Sequence, residues 1–396
     1  MSEIDVGSFV DGQVEAVRRA LKGEKAIIAV SGGVDSTVSA LITHRAAGEN
    51  LSCVFVDDNF MRLGEPDKVR DLLSSPPLGL PIKILDEKNR FMSALKGLSD
   101  AEEKRKAFRE AFYQTLSDAA KAEGCKYLIQ GTIRADVIET QGGIKTQHNV
   151  LGQIGIDTEK VFGFTVIEPV ASLFKNQVRE IARHLGAPSE ISERQPFPGP
   201  GLSVRVVGEI TEDKLTELKK ATAITENALK EFKPDQYFAA IFSGESKRAS
   251  EIITRKVANS LNLQPSRIEV EILREKGTGV IMGRRAYGDV IAVETGDDPG
   301  GAQRIEYATL KGMRSKIQGE QATATRILYL LGKREGKDPI VALRAVKTKD
   351  FITASLAEIP LEILRKTAKK ILSECANISK VYLDITPKPP GTIEFE

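Results

Sequence analysis

Ala26-Ile27-Ile28-Ala29-Val30-Ser31-Gly32-Gly33-Val34-Asp35-Ser36-Thr37 decides the fold. Its first five residues form a short apolar, largely β-branched run, the pattern of a strand buried on both faces of a parallel sheet. Val38, Leu41 and Ile42 follow at the spacing of one helix face. The polar centre, Ser31 to Thr37, therefore lies at a strand-to-helix turn, where ligands bind in an open α/β sheet. Two glycines let backbone N–H groups come close to an anion, and the flanking hydroxyls add donors. No Lys follows the glycines, so the P-loop pattern is excluded. The stretch predicts a phosphate or pyrophosphate cradle, with Asp35 the candidate ligand of a Mg²⁺ ion between carboxylate and phosphates. A bare Gly-Gly turn capped by Asp35 is the plainer reading of the same residues.

Outward from the cradle, the N-terminal side carries Val10, Val14, Val17 and Leu21 at helical spacing. On the other side, Leu51–Val56 reads as a second strand, Ile82–Leu85 as a third and Tyr127–Gln130 as a fourth. Glu65–Leu73 reads as a helix with Pro66 in its first turn, and residues 101–124 as a long charged helix with Phe108, Phe112 and Leu116 on one side. Asp57 and Asp58 end the second strand, either facing a nucleotide or belonging to an ordinary solvated loop. The fourth strand runs into Gly131-Thr132-Ile133-Arg134-Ala135-Asp136, where a glycine, an arginine and a carboxylate share one strand end. Arg194 to Leu202, with three prolines and two glycines, fits neither helix nor central strand.

After residue 204 the pattern becomes α+β. Val204–Ile210 reads as a strand and Glu212–Phe232 as a helix, with later strands at Ile268–Leu273, Val290–Val293 and Ile340–Leu343. Gly283-Arg284-Arg285…Asp289 returns as Gly332-Lys333-Arg334…Asp338, a short internal echo. The expected division is residues 1–204 and 205–396.

At 396 residues the chain has room for two or three cores. A net charge of +2 gives no case for nucleic-acid or membrane attraction. Three scattered cysteines without metal spacing, no signal-like segment and no long apolar run point to a reducing cytoplasm. No Cys/His arrangement suited to nucleophilic catalysis precedes the cradle.

SGGVDS resembles the pyrophosphate loop of the ATP pyrophosphatases (PP-loop family), which cleave ATP between its α and β phosphates. Within that family the chain resembles the GMP synthetases. Gln130–Thr140 resembles "QGT…PDxIES", Ile144–Asn149 resembles the lid phrase "IKSHHN", and Arg194–Leu202 resembles "RHPFPGPGL". Thr278–Asp289 resembles "VGVMGDGRxYD", and Asp384–Glu396 resembles the ending "DITSKPPATIEWE". Three departures stand out: Ala135 replaces Pro, and Gln147 and Gln195 each replace a His, which removes any proton transfer there while leaving hydrogen bonding.

The resemblance implies a doubly wound parallel sheet followed by a smaller α+β dimerisation domain, with insertions near 242–270 and 294–338. Ser31, Gly32, Gly33, Val34, Asp35, Ser36, Val56 and Gly131 would bind ATP and pyrophosphate, with Asp35 on Mg²⁺. Lys175, Lys145 and His148 would join Asp35 in catalysis. Arg134, Asp136, Pro198, Gly199, Lys388, Thr392, Ile393 and Glu394 would bind xanthosine monophosphate (XMP). The implied reaction adenylates XMP at its 2-oxygen and aminates it with ammonia from a separate glutamine amidotransferase subunit, in a homodimer. A PP-loop paralogue acting on another oxo-substrate, and an idle nucleotide-binding regulator, are the alternatives.

Overall fold

The computed structural model describes residues 5–141, 158–296, 305–336, 339–348 and 353–396. The chain divides into two compact units, one of residues 1–95 and 106–199, the other of residues 96–105 and 200–396. The division falls just before Pro200, and the second unit is no smaller than the first.

In the first unit the four apolar runs read as strands become strands, and Thr165–Ile167 adds a fifth that was not expected from sequence. Helix α1 (Val6–Leu21) buries Val10, Val17 and Leu21 and is capped by the Asp5 side chain. Then come β1 (Ala26–Ala29), α2 (Val34–Ala47), β2 (Leu51–Asp57), α3 (Glu65–Ser74), β3 (Ile82–Asp86), α4 (Lys88–Leu95) and α5 (Ala101–Glu123), of which residues 101–105 belong to the second unit. They are followed by β4 (Tyr127–Ile129), α6 (Arg134–Gln141), α7 (Thr158–Phe162), β5 (Thr165–Ile167), α8 (Lys175–His184) and α9 (Ser189–Ser192). All five strands are parallel, in the order β3-β2-β1-β4-β5. The strand order therefore reverses beside β1, so the turns leaving β1 and β4 diverge and open a crevice. Ile28, Val38, Ile42, Phe55, Ile129 and Ile181 belong to the core that holds this sheet and its helices.

The second unit holds α10 (Glu212–Leu229), β6 (Gln236–Phe242), β7 (Ser246–Arg248), α11 (Glu251–Leu261), β8 (Ile268–Ile281) and β9 (Arg284–Thr295). It continues with α12 (Tyr307–Glu320), β10 (Ala324–Lys333), β11 (Ile340–Lys347), β12 (Ser355–Leu356), α13 (Leu361–Glu374) and β13 (Lys380–Asp384). Its mixed sheet runs β12-β11-β13-β10-β9-β8-β7, and β6 also pairs with β11. The stretches expected as insertions are built into this sheet: β10 is an interior strand between β9 and β13. The echo at 283 and 332 has a structural counterpart in the repeated order α11-β8-β9 and α12-β10-β11. The pairings differ, because β8 and β9 form a hairpin while β13 lies between β10 and β11.

One expected strand is absent. Residues 201–204 form a 3₁₀ turn, and within 204–210 only Val206 makes an isolated bridge, to Ile241. Gly208, at a φ of 77°, turns the chain away from extended geometry. The carbonyls of Val206 and Gly208 each accept, at 2.8 Å, from the Lys104 ammonium. Lys104 is fully buried and paired with Glu396. Burial pushes the Lys104 ammonium down and the Glu396 carboxyl up to about 7, and their mutual attraction opposes both shifts.

Such a pair is costly to break from one side, because the partner is left as a buried, unpaired charge. Lys104→Met should lower stability by roughly 3 kcal/mol in urea unfolding. Lys104→Met/Glu396→Gln should lose less than the two single changes summed. Additive losses would show that the two charges are not coupled.

Candidate active site

The turn after β1 is shaped by two close approaches. Gly32 has a φ of 73°, and a Cβ there would lie 2.6 Å from a Val69 methyl and 3.0 Å from Arg194. Only glycine fits. Arg194 closes this side of the turn: its guanidinium is 3.4 Å from the Gly32 carbonyl and ion-paired with the buried carboxylate of Glu65. From the other side, a Cβ on Gly131 would come within 2.7 Å of the Ser36 nitrogen and 2.8 Å of the Asp35 carbonyl carbon. Gly131, at the end of β4, thus lets the two divergent turns touch backbone to backbone.

Within the turn, hydrogen bonds are long. The Ser31 N–H donates to Ser36 Oγ and the Gly33 N–H to Ser31 Oγ, both at 3.3 Å. Thr37 Oγ donates to the Gly33 carbonyl at 2.9 Å, fixing the first turn of α2. Gly33 is the N-cap of α2 and offers no side chain to its first N–H groups. These donors, at the positive end of a helix dipole, suit a phosphate better than they suit one another. Val34 and Val56 are buried.

Asp35 Oδ2 pairs with the Lys175 ammonium at 2.5 Å, joining the first turn of α2 to the first residue of α8. Burial pushes the Asp35 carboxyl up, and Lys175 opposes the shift. Asp35 Oδ1 is buried with no hydrogen-bond partner. An orphaned carboxylate oxygen beside a phosphate cradle fits Mg²⁺, which needs one or two carboxylates and takes its other oxygens from phosphates and water. Among the described residues, no group of three His, Cys, Asp or Glu forms an all-protein metal cage.

Arg134 is exposed at the start of α6, with its guanidinium 5.3 Å from the Phe174 ring centre. Asp136 Oδ2 accepts from the Ile133 N–H at 3.0 Å, so this carboxylate also caps its own turn. Asp57 and Asp58 are largely taken by local bonds, to Lys88 at 2.9 Å and from the Phe60 N–H at 2.7 Å. Arg62 lies over the Phe197 ring at 4.2 Å, bracing the segment that carries Pro198 and Gly199. Lys145 and His148 lie outside the described residues.

The remaining expected residues belong to the second unit. Lys388 pairs through its backbone with Ala354 at 2.8 and 2.9 Å. The Val280 N–H donates to the Pro390 carbonyl at 2.6 Å and the Thr278 N–H to the Phe395 carbonyl at 2.7 Å, laying the tail along β8. Gly279 makes room for it, since a Cβ there would sit 2.6 Å from the Pro390 carbonyl oxygen. Ile393 packs against the core. The Thr392 hydroxyl accepts from Arg326 at 2.8 Å, and both oxygens of Glu394 accept from Arg205. Arg194, Glu65, Arg205 and Arg326 carry much of this geometry, and none was among the residues expected from sequence. Of these, only Arg194 had a local signal, as the first residue of a Pro/Gly-rich phrase.

Gly131→Ala should push the Asp35–Ser36 peptide away from residue 131 and weaken pyrophosphate or ATP binding by tenfold or more in titration calorimetry. Gly12→Ala, with nothing within 4 Å of the added carbon, should bind normally. Equal affinity in the two variants would contradict the role given to the Gly131 contact.

The family model described as "GMP synthase C terminal domain" matches residues 330–395, and the one described as "NAD synthase" matches residues 7–209. A protein of Saccharolobus solfataricus named as one subunit of "GMP synthase [glutamine-hydrolyzing]" is 44% identical over 394 residues, covering 99% of this chain and 100% of the relative. Its namesake in Methanopyrus kandleri is 38% identical over 392 residues, covering 99% of each. Among solved structures, NMN synthetase from Francisella tularensis is similar with a TM-score of 0.39 and 15% identity, covering 55% of this chain and 86% of that one. The full-length matches run through residues 210–329, which neither family model reaches. With such identity across essentially all of both chains, the chain belongs to this family of GMP synthase subunits.

Proposed function

We propose that this chain is the ATP-pyrophosphatase subunit of GMP synthase: it adenylates XMP at the 2-oxygen and lets ammonia displace AMP to give GMP. The full-length identity to proteins named as one and the same GMP synthase subunit carries the reading. In the reaction, the 2-oxygen attacks the α-phosphorus, the Pα–O–Pβ bond breaks, and pyrophosphate leaves. Ammonia then forms the C2–N bond, the C2–O bond breaks, and AMP departs with the oxygen.

The residues divide this work by their chemistry. Ser31, Gly32, Gly33 and Ser36 would donate to the departing pyrophosphate, a charge-developing group best met by fixed dipoles. Mg²⁺ would supply charge neutralisation on the phosphates, with Asp35 Oδ1 as its carboxylate oxygen. Lys175, tethered to Asp35, would add a second cation. Lys145 and His148 are assigned to the same centre by resemblance. Arg134, Asp136, Pro198, Gly199, Lys388, Thr392, Ile393 and Glu394 are assigned to XMP.

The relatives are named as one subunit of a glutamine-hydrolysing enzyme, which supports a separate partner chain that would supply ammonia from glutamine. A homodimer and a cytoplasmic location complete the proposal. No described helix is long and apolar enough to cross a membrane.

Incubated with MgATP, XMP and ammonium, the purified chain should yield AMP, pyrophosphate and GMP in equal amounts. Turnover with deamido-NAD in place of XMP, and none with XMP, would overturn the reading in favour of another PP-loop ligase. Asp35→Ala should lower kcat by about 100-fold or more, the scale of losing one key electrostatic group. Lys388→Ala should raise KM for XMP about tenfold, with KM for ATP unchanged.

A further inference from the structure

Arg205 is 1% exposed and pairs fork to fork with Glu394: Nε donates to Oε2 at 3.0 Å and Nη2 to Oε1 at 2.9 Å. It has little freedom to do otherwise. Its guanidinium lies on the Phe238 ring at 3.9 Å. Its backbone N–H donates to the Leu202 carbonyl at 2.9 Å, and its carbonyl accepts from Ile241 at 2.8 Å, so the residue is stitched to β6. The backbone around Glu394 is fixed as well. Arg326 donates to the Glu394 carbonyl and to Thr392 Oγ, and Arg344 donates to the Thr392 carbonyl at 2.8 Å. Phe395 is buried against Phe242, with ring centres 5.4 Å apart. Between these anchors the Glu394 side chain keeps 19% of its surface in contact with solvent.

We infer that Arg205 is a positioning residue for substrate recognition: it holds Glu394 as an aimed carboxylate acceptor for a ring N–H beside a purine 2-oxo group. The inference rests on the proposed contact between Glu394 and XMP, and it assigns the residue that makes that contact specific. Each carboxylate oxygen has two lone-pair directions. Arg205 occupies one on each, which leaves the outward directions for a ligand. A carboxylate gripped in this two-pronged way cannot swing. A 2-oxopurine that turns one N–H beside the oxygen toward Glu394 satisfies an outward lone pair. A hypoxanthine ring lacks the 2-oxo group and has an acceptor nitrogen on that side, so a fixed carboxylate repels it. Accepting from an adjacent N–H also raises electron density on the 2-oxygen, the atom that must attack phosphorus. Lysine would keep the charge at residue 205 but lose the two-pronged geometry.

The test compares Arg205→Lys, Glu394→Gln and the double variant in steady-state assays with XMP and ATP, using Arg205→Lys because it retains the buried cation. Urea unfolding of each variant accompanies the kinetics. The expected result is a tenfold or larger rise in KM for XMP in each single variant, unchanged KM for ATP, and no further rise in the double variant. Competition by inosine monophosphate should strengthen relative to XMP in Arg205→Lys. Three results would overturn the inference: wild-type XMP kinetics in Arg205→Lys, equal rises in both KM values, or additive effects in the double variant. If Glu394→Gln alone leaves KM for XMP unchanged, the substrate contact falls and the inference falls with it. If Glu394→Gln raises KM while Arg205→Lys does not, the contact stands and only the role of Arg205 is lost.

Discussion

The first unit depends on a contact that no side chain could survive. The backbone of Gly131 presses on that of Asp35 and Ser36 so closely that an added carbon would meet the Ser36 nitrogen at 2.7 Å. This is possible because β1 and β4 are parallel neighbours whose following turns diverge at the reversal of strand order. The same approach sets the first turn of α2 at the mouth of the crevice. Gly32 answers on the opposite side, where Val69 and Arg194 leave no room for a Cβ. The cradle is thus built from backbone squeezed between two walls, and its donors converge because little else can fill the space.

The second unit solves a different problem, holding an irregular tail still. Arg205, Arg326 and Arg344 are all fully or almost fully buried, and Asp384 accepts from Arg326 at 3.1 Å and from Arg344 at 2.6 Å. Buried ion pairs are poor sources of net stability, since desolvation cancels most of their attraction. Their value lies in direction: each guanidinium has several donors, and here the surplus donors reach the carbonyls and hydroxyl of residues 392 and 394. An apolar core of equal volume would pack as well but would leave those groups unsatisfied.

Much of the first unit was legible in the sequence because buried parallel strands are largely apolar runs, such as Ala26–Val30 between Lys25 and the glycine turn, whereas Thr165–Ile167 is too short a run to stand out. The cradle was legible because few chemistries need two glycines, two hydroxyls and a carboxylate at a strand end. The pairings that brace it were not. Arg194 and Glu65 are 129 residues apart, and Arg205 and Glu394 are 189 apart, so neither has a local signature. Val204, Val206, Val207 and Ile210 look like a strand, yet they are buried around a turn that feeds its carbonyls to Lys104. Strand β10 carries the buried Arg326 and β11 the buried Arg344, which break the apolar rhythm expected of interior strands. The extra segments also read as insertions, although one of them supplies an interior strand.

Both units serve one chemical claim, that the bond broken in ATP is the one at the α-phosphorus and that the attacking atom is the purine 2-oxygen. Labelling that oxygen of XMP with ¹⁸O and analysing the products by mass spectrometry tests it directly. One ¹⁸O is expected in every AMP formed and none in pyrophosphate. Unlabelled AMP, or label appearing in inorganic phosphate, would contradict it.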